Sequence, residues 1–245
     1  VSLFEAYAMA CRAIHKRLIA DGRRNLVKLV GPNAMISAAG DRQLRRAVSM
    51  LNDVLDIYSA HTYAWPSAEG GHDPSCVLTG YDGWVKHAQS MLRQVAQTGK
   101  PFWFDEFGLA GGKTAEDMRS TGWYGNFLAQ ATAAFMNAGV EIAFLWSLFD
   151  QKYFWDITND DSFYHGIQRS GLAMMPGDSI PDTRNVRPAW YAVAMLSRFL
   201  SEGSAVPVLR TEAGPYLCGS ATVPGEGCRT ILLVNRKDTP VQVTV

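Results

Sequence analysis

Two adjacent carboxylates, Asp105 and Glu106, close the aromatic run of Phe102, Trp103 and Phe104, and Gly108 follows almost at once. An apolar strand excludes charge unless that charge is paired or used. Side chains alternate along a strand, so Phe102, Phe104 and Glu106 share one face and Asp105 takes the other. Glu106 is therefore expected to end an inward-facing row. Asp105 is expected to point toward surrounding helices and bind a backbone amide or a basic side chain. Position alone leaves two readings of Glu106, a pocket carboxylate or a surface carboxylate at a strand end. Gly108 would let the backbone turn close to such a pocket.

Three more residues sit where strands are expected to end. His61 and Tyr63 are two apart in DIYSAHTYAWP (residues 56–66) and share a face. A tyrosine hydroxyl beside a carboxylate holds it ionised by donating a hydrogen bond. A histidine there can bind a sugar hydroxyl or tune the same carboxylate. Either residue taken singly also fits a hydrogen-bonded core position. Trp146 lies on one face with Phe144 and Ile142, near the end of its strand, and offers a flat apolar floor for a pyranose ring or simply packs in a core. The loops after these strands hold Trp65 on one side and Asp150, Gln151 and Trp155 on the other. Aromatics beside carboxylates and amides suit sugar binding, and a solvated loop with anchoring aromatics suits the same residues. Asn33 ends an earlier strand and can reach the same pocket.

The elements that must position these residues alternate. Phe4, Tyr7, Cys11, Ile14 and Leu18 recur at helical spacing, and so do Leu44, Ala47, Val48, Leu51, Val54 and Leu55. Strands are expected in residues 25–34, 56–66, 101–108 and 141–150. Helices are expected over 83–99 and 123–139, each stopped by a glycine, and over 187–200. A long loop joins 151 to 186. Strands alternating with helices of this length imply parallel βαβ units. No GxGxxG or GxxxxGK[ST] follows any strand, which disfavours a doubly wound nucleotide-binding sheet. Polar and aromatic groups at several strand ends point instead to a (β/α)₈ barrel. From Ser204 the pattern changes to short strand-like runs, AVPVLR, YLCGSATV, RTILLVN and VQVTV. These are expected to form a small antiparallel β module, so residues 1–203 and 204–245 are read as two domains.

Composition narrows the partners. The 245 residues carry 23 basic and 23 acidic side chains, so nothing electrostatic favours nucleic acid or a membrane surface. No apolar run reaches the ~18 residues of a membrane span. No cysteine–histidine spacing resembles a metal site, and no cofactor or metal is expected. Cys218 and Cys228 flank a Gly/Pro-rich turn, an arrangement that suits either a hairpin disulfide or two free thiols. The bridge would favour an extracytoplasmic or secreted location.

Taken together, His-x-Tyr, Asp-Glu-Phe-Gly and Leu-Trp-Ser close three successive strands. In this the chain resembles the clan A glycoside hydrolases, including families 5 and 39. The resemblance implies a retaining (β/α)₈-barrel glycosidase acting on a poly- or oligosaccharide. It implies that His61 and Tyr63 close a sixth strand and support the nucleophile. Glu106 would close the seventh strand as that nucleophile, and Trp146 would be a sugar-subsite aromatic on the eighth. Residues 187–200 are similar to the last barrel helix, and the trailing module is similar to a C-terminal β-sandwich. The family's acid/base glutamate follows an asparagine on the fourth strand. Glu5 has no such asparagine and falls in a helix, so the acid/base is expected upstream of Val1. The chain is read as strands five to eight plus the side module, with another segment or chain supplying the first half. An alternative is a non-catalytic carbohydrate-binding relative or an incomplete half-barrel.

Overall fold

The computed structural model describes residues 2–35, 38–64, 81–109, 118–148, 151–152, 167–168, 172, 186–200, 217–222, 229–235 and 239–244. The chain divides into two units. One comprises Val1–Thr62, Lys86–Phe107 and Gly139–Phe144, and the other comprises Tyr63–Val85, Gly108–Ala138 and Leu145–Val245.

Ser2 starts the first unit. Its hydroxyl accepts the Glu5 N–H at 3.3 Å, and its own N–H donates to the Glu5 carboxylate at 2.7 Å. This reciprocal cap satisfies donors that the first turn leaves open and starts helix α1, Leu3–Ala20. The strands are β1 (Val30–Met35), β2 (Ile57–Ala64), β3 (Phe102–Leu109) and β4 (Ile142–Leu145), parallel and adjacent in that order. Between them run α2 (Ala38–Leu51) and α3 (Tyr81–Ala96). Leu44, Ala47 and Leu51 of α2 and Ala88, Met91 and Val95 of α3 are buried at the spacing of one helix face. Arg24 and Asp56 tie the strand entrances together. The Arg24 guanidinium meets the Asp56 carboxylate at 2.9 Å, and that carboxylate also accepts the Leu29 N–H at 2.7 Å.

Sequence spacing anticipated these elements, although β4 is shorter than expected and ends before Trp146. The expected faces need correction. Phe102 and Phe104, expected on an inward-facing row, lie on a closed face. Phe102, Phe104 and Ile57 are buried, and only Phe144 is open, at 49% exposure. Phe102 and Phe104 meet edge to face, their ring centroids 5.2 Å apart.

Strand β1 carries an irregularity that no periodicity reveals. Gly31 is level with Tyr58 and Ala34 with Ala60, so β1 spends one more residue than β2 over this stretch. That extra residue is the signature of a bulge. Gly31 is also where the Tyr7 hydroxyl of α1 rests, occupying the space a Cβ would need. Gly31→Ala is therefore expected to destabilise the chain by ~1–3 kcal/mol. Tyr7→Phe in the same chain should recover part of that loss, because it removes the clashing oxygen. A double-mutant cycle on thermal unfolding checks this, and purely additive losses would contradict the contact.

In the second unit, α4 (Gly122–Ala138) and α5 (Pro188–Phe199) pack together. A Cβ at Gly125 would lie 3.2 Å from the Ala192 Cβ, so the two helices approach where neither carries bulk. Pro188 opens α5, where its missing N–H costs nothing. Trp84 stacks on Phe135 with centroids 5.5 Å apart and meets Phe127 edge to face. Two short strands, β5 (Gln151–Lys152) and β6 (Ile167–Gln168), pair antiparallel inside the expected long loop.

Strands β7 (Leu217–Thr222) and β8 (Thr230–Asn235) form an antiparallel hairpin against α4. Two of the four expected module strands are thus present. Residues 241–244 of VQVTV are not a strand, and AVPVLR lies outside the described residues. A sandwich needs two facing sheets, and the described residues of this segment supply one two-stranded sheet.

Candidate active site

The first unit brings four polar residues together on three neighbouring strands. Ser59 and His61 share a face of β2. The bulge in β1 leaves the Asn33 N–H without a regular ladder position, and that N–H donates to the Ser59 hydroxyl at 3.1 Å. The Ser59 hydroxyl in turn donates to the Asp105 carboxylate. The Asn33 side-chain oxygen lies against Nδ1 of His61.

Asp105 is near Ser59 and His61, and its charge also acts on the Tyr7 hydroxyl of α1. It lies on the Ser59 and His61 face, while Phe102 and Phe104 fill the opposite, closed face. Ser59 was missed, although its place two residues before His61 was visible in the sequence.

Burial pushes the Asp105 carboxyl above its ordinary value, opposed by Ser59 and by the nearby His61. One of its oxygens, Oδ1, is buried with no hydrogen-bond donor among the described residues. An acid whose folded value is raised contributes stability below the unfolded value near 3.9 and loses it as pH rises through the folded value. Asp105→Asn keeps an acceptor for Ser59 and removes the buried charge. The variant is expected to melt above the parent at neutral pH, with the gap closing toward pH ~4. A Tm series against pH checks this, and a gap that grows on acidification would contradict it.

Glu106 is half-buried in β3, and burial pushes its carboxyl up as well. Burial along β3 alternates as far as Phe104. Asp105 and Glu106 are then both half-buried, and Phe107, Gly108 and Leu109 are all buried. Counting by twos therefore fails at the carboxylates. His61 is held below its ordinary value by burial, with the Asp105 charge acting the other way.

The second unit brings Tyr63 and Trp146 together at Gly108. A Cβ there would lie 3.1 Å from the Trp146 carbonyl oxygen and 3.2 Å from the edge of the Tyr63 ring. Gly108 thus permits a close approach, as its place after the carboxylates suggested. The peptide from Trp146 to Ser147 is cis. Gln151 begins β5. Trp65, Asp150 and Trp155 lie outside the described residues, and so does Cys228, so the proposed bridge to Cys218 does too. Cys11 is a free thiol. Among the described residues no cluster of three or more metal-ligating side chains occurs, and no helix is long and apolar enough to cross a membrane.

A parallel four-stranded sheet flanked by helices, with polar side chains gathered on adjacent strands, defines an α/β fold matching one half of a (β/α)₈ barrel. No family model matches the sequence, and no curated protein matches it. Solved structures do match. A family 51 α-L-arabinofuranosidase from Bifidobacterium longum aligns with a TM-score of 0.64 at 14% identity, over 96% of this chain and 49% of its own. A 4-O-α-L-rhamnosyl-β-D-glucuronidase from Fusarium oxysporum 12S aligns at 0.62 and 13%, over 98% and 46%. A family 39 enzyme from Xanthomonas axonopodis pv. citri aligns at 0.54 and 14%, over 89% and 40%. In fold the chain resembles the clan A glycoside hydrolases, and it spans less than half the length of each of these structures.

Proposed function

We propose that the protein forms the second half of a retaining glycoside hydrolase barrel, with Glu106 as its nucleophile. One observation carries the proposal. A half-buried glutamate stands near the C-terminal end of a barrel-type strand, in a sheet whose fold is that of glycoside hydrolases. In the reaction a Glu106 oxygen attacks the anomeric carbon. The bond from that carbon to the leaving oxygen breaks, and a general acid gives the leaving oxygen its proton. Water then attacks the same carbon, loses a proton to the same group, and frees Glu106. The two carboxyl groups of such a pair stand about 5 Å apart.

The general acid comes from the missing half, supplied by an upstream segment or another chain. His61 and Tyr63 support the nucleophile. On this reading Trp146, Trp65, Asn33, Asp150, Gln151 and Trp155 would bind the sugar. Residues 204–245 form the side module, and a Cys218–Cys228 bridge would fit a secreted enzyme acting on polysaccharide. The short share of each glycosidase that the chain covers also favours a second reading, a half-barrel that binds carbohydrate without cleaving it. A mechanism-based fluorosugar separates the two when the barrel is complete. Label on the Glu106 peptide is the expected result. Label on another carboxylate removes Glu106 from the role, and sugar binding without label supports the second reading.

A further inference from the structure

We propose that Asn33 is a positioning residue that fixes His61 as the Nδ1–H tautomer, leaving Nε2 as the hydrogen-bond accepting edge of the ring. The bulge in β1 sets the arrangement up. Asn33 adopts a φ of 56°, a left-handed conformation that asparagine tolerates better than most side chains. Its backbone is anchored there by the N–H donated to Ser59 at 3.1 Å. Its side-chain oxygen is thereby directed at Nδ1 of His61. A carbonyl oxygen can only accept, so the hydrogen in this contact belongs to Nδ1. A neutral imidazole carries one ring hydrogen, and Nε2 then holds a lone pair. Burial keeps the ring toward its neutral form, which preserves that asymmetry.

The chemical consequence is directional. An Nε2 lone pair receives a hydrogen bond from a hydroxyl or a protonated carboxyl and repels a second lone pair. The unfavourable φ is spent on an acceptor aimed at one ring nitrogen, and glycine at this position would hold the same backbone without providing that acceptor.

This inference deepens the proposed function, since it concerns the same strand ends, but its readout does not need turnover. The full chain labelled with ¹⁵N-histidine reports both ring nitrogens through two-bond proton–nitrogen correlations at neutral pH. His61→Gln identifies the His61 signals among the five histidines. The parent is expected to show a protonated Nδ1 and an Nε2 that carries no hydrogen. Asn33→Gly keeps the left-handed backbone and deletes the acceptor, so the hydrogen should move to Nε2 and the two resonance types should exchange. Asn33→Asp retains an oxygen acceptor and should restore the parental pattern. A parent with Nε2–H, as would follow if the amide nitrogen of Asn33 faced the ring, overturns the proposal. So does an Nδ1–H ring that persists in Asn33→Gly. If the glycine variant fails to fold, the parental spectrum decides by itself.

Discussion

Glu106→Gln, in a chain whose barrel is completed by its other half, is expected to lose on the order of 10³–10⁶ in kcat while keeping its fold. Glutamine preserves the shape and cannot form a glycosyl ester that water then releases. The half-buried carboxyl sits above its ordinary value because burial disfavours its charge. Replacing it by a neutral amide removes that cost, so Tm should hold or rise. Loss of turnover with an intact melting profile is the result that separates nucleophile from scaffold. The same burial sets a pH expectation. A nucleophile must be ionised, so the acidic limb of kcat/KM should lie above the ordinary glutamate value of about 4.3. If Tyr63 donates to this carboxylate, Tyr63→Phe moves that limb further up. Turnover retained in Glu106→Gln, or a limb unaffected by any change at Glu106, would end the assignment.

On the proposed reading, in which the general acid belongs to the other half, the 245 residues alone are expected to cleave aryl glycosides at least ~10²–10⁴-fold more slowly than the completed barrel. A physical penalty accompanies the chemical one. Among the described residues the sheet ends at β1 and β4. Unpaired strand edges expose backbone donors and acceptors that another chain can bind. Phe144 on β4 stands 49% exposed, its ring 6.0 Å from that of Trp103. Association with a complementary half, self-association or poor solubility should follow. Light scattering with a panel of aryl glycosides reads both effects. A monodisperse monomer with strong turnover would refute the half-barrel proposal and require a second carboxylate within this chain.

Much of this architecture is local chemistry and was legible in the residues. Leu44, Ala47 and Leu51 recur at helical spacing because one helix face must be buried, and that face is buried. Gly99 and Gly139 follow α3 and α4 in left-handed conformations, with φ of 67° and 86°, which their position after each apolar run implied. The order of four strands with intervening helices followed from the same periodicities, and so did the antiparallel pairing of β7 with β8. That His61 and Asn33 stand near strand ends was also legible, because the apolar runs of β1 and β2 stop there.

What only the tertiary structure decided was which side of each strand faces the site. A period of two states that Phe104 and Asp105 are opposed, and it does not state which face the helices close. That depends on packing between segments far apart in sequence, and here it buries Phe102 and Phe104 and gives Asp105 to Ser59. Parity is equally fragile along the strand. One extra residue in β1 redirects Asn33, and the paired half-buried carboxylates break the count in β3. The change in β1 is invisible to alternation because it arises from register with β2. The contact between Asn33 and His61 joins residues 28 apart, so it exists only once β1 and β2 have paired across that bulge.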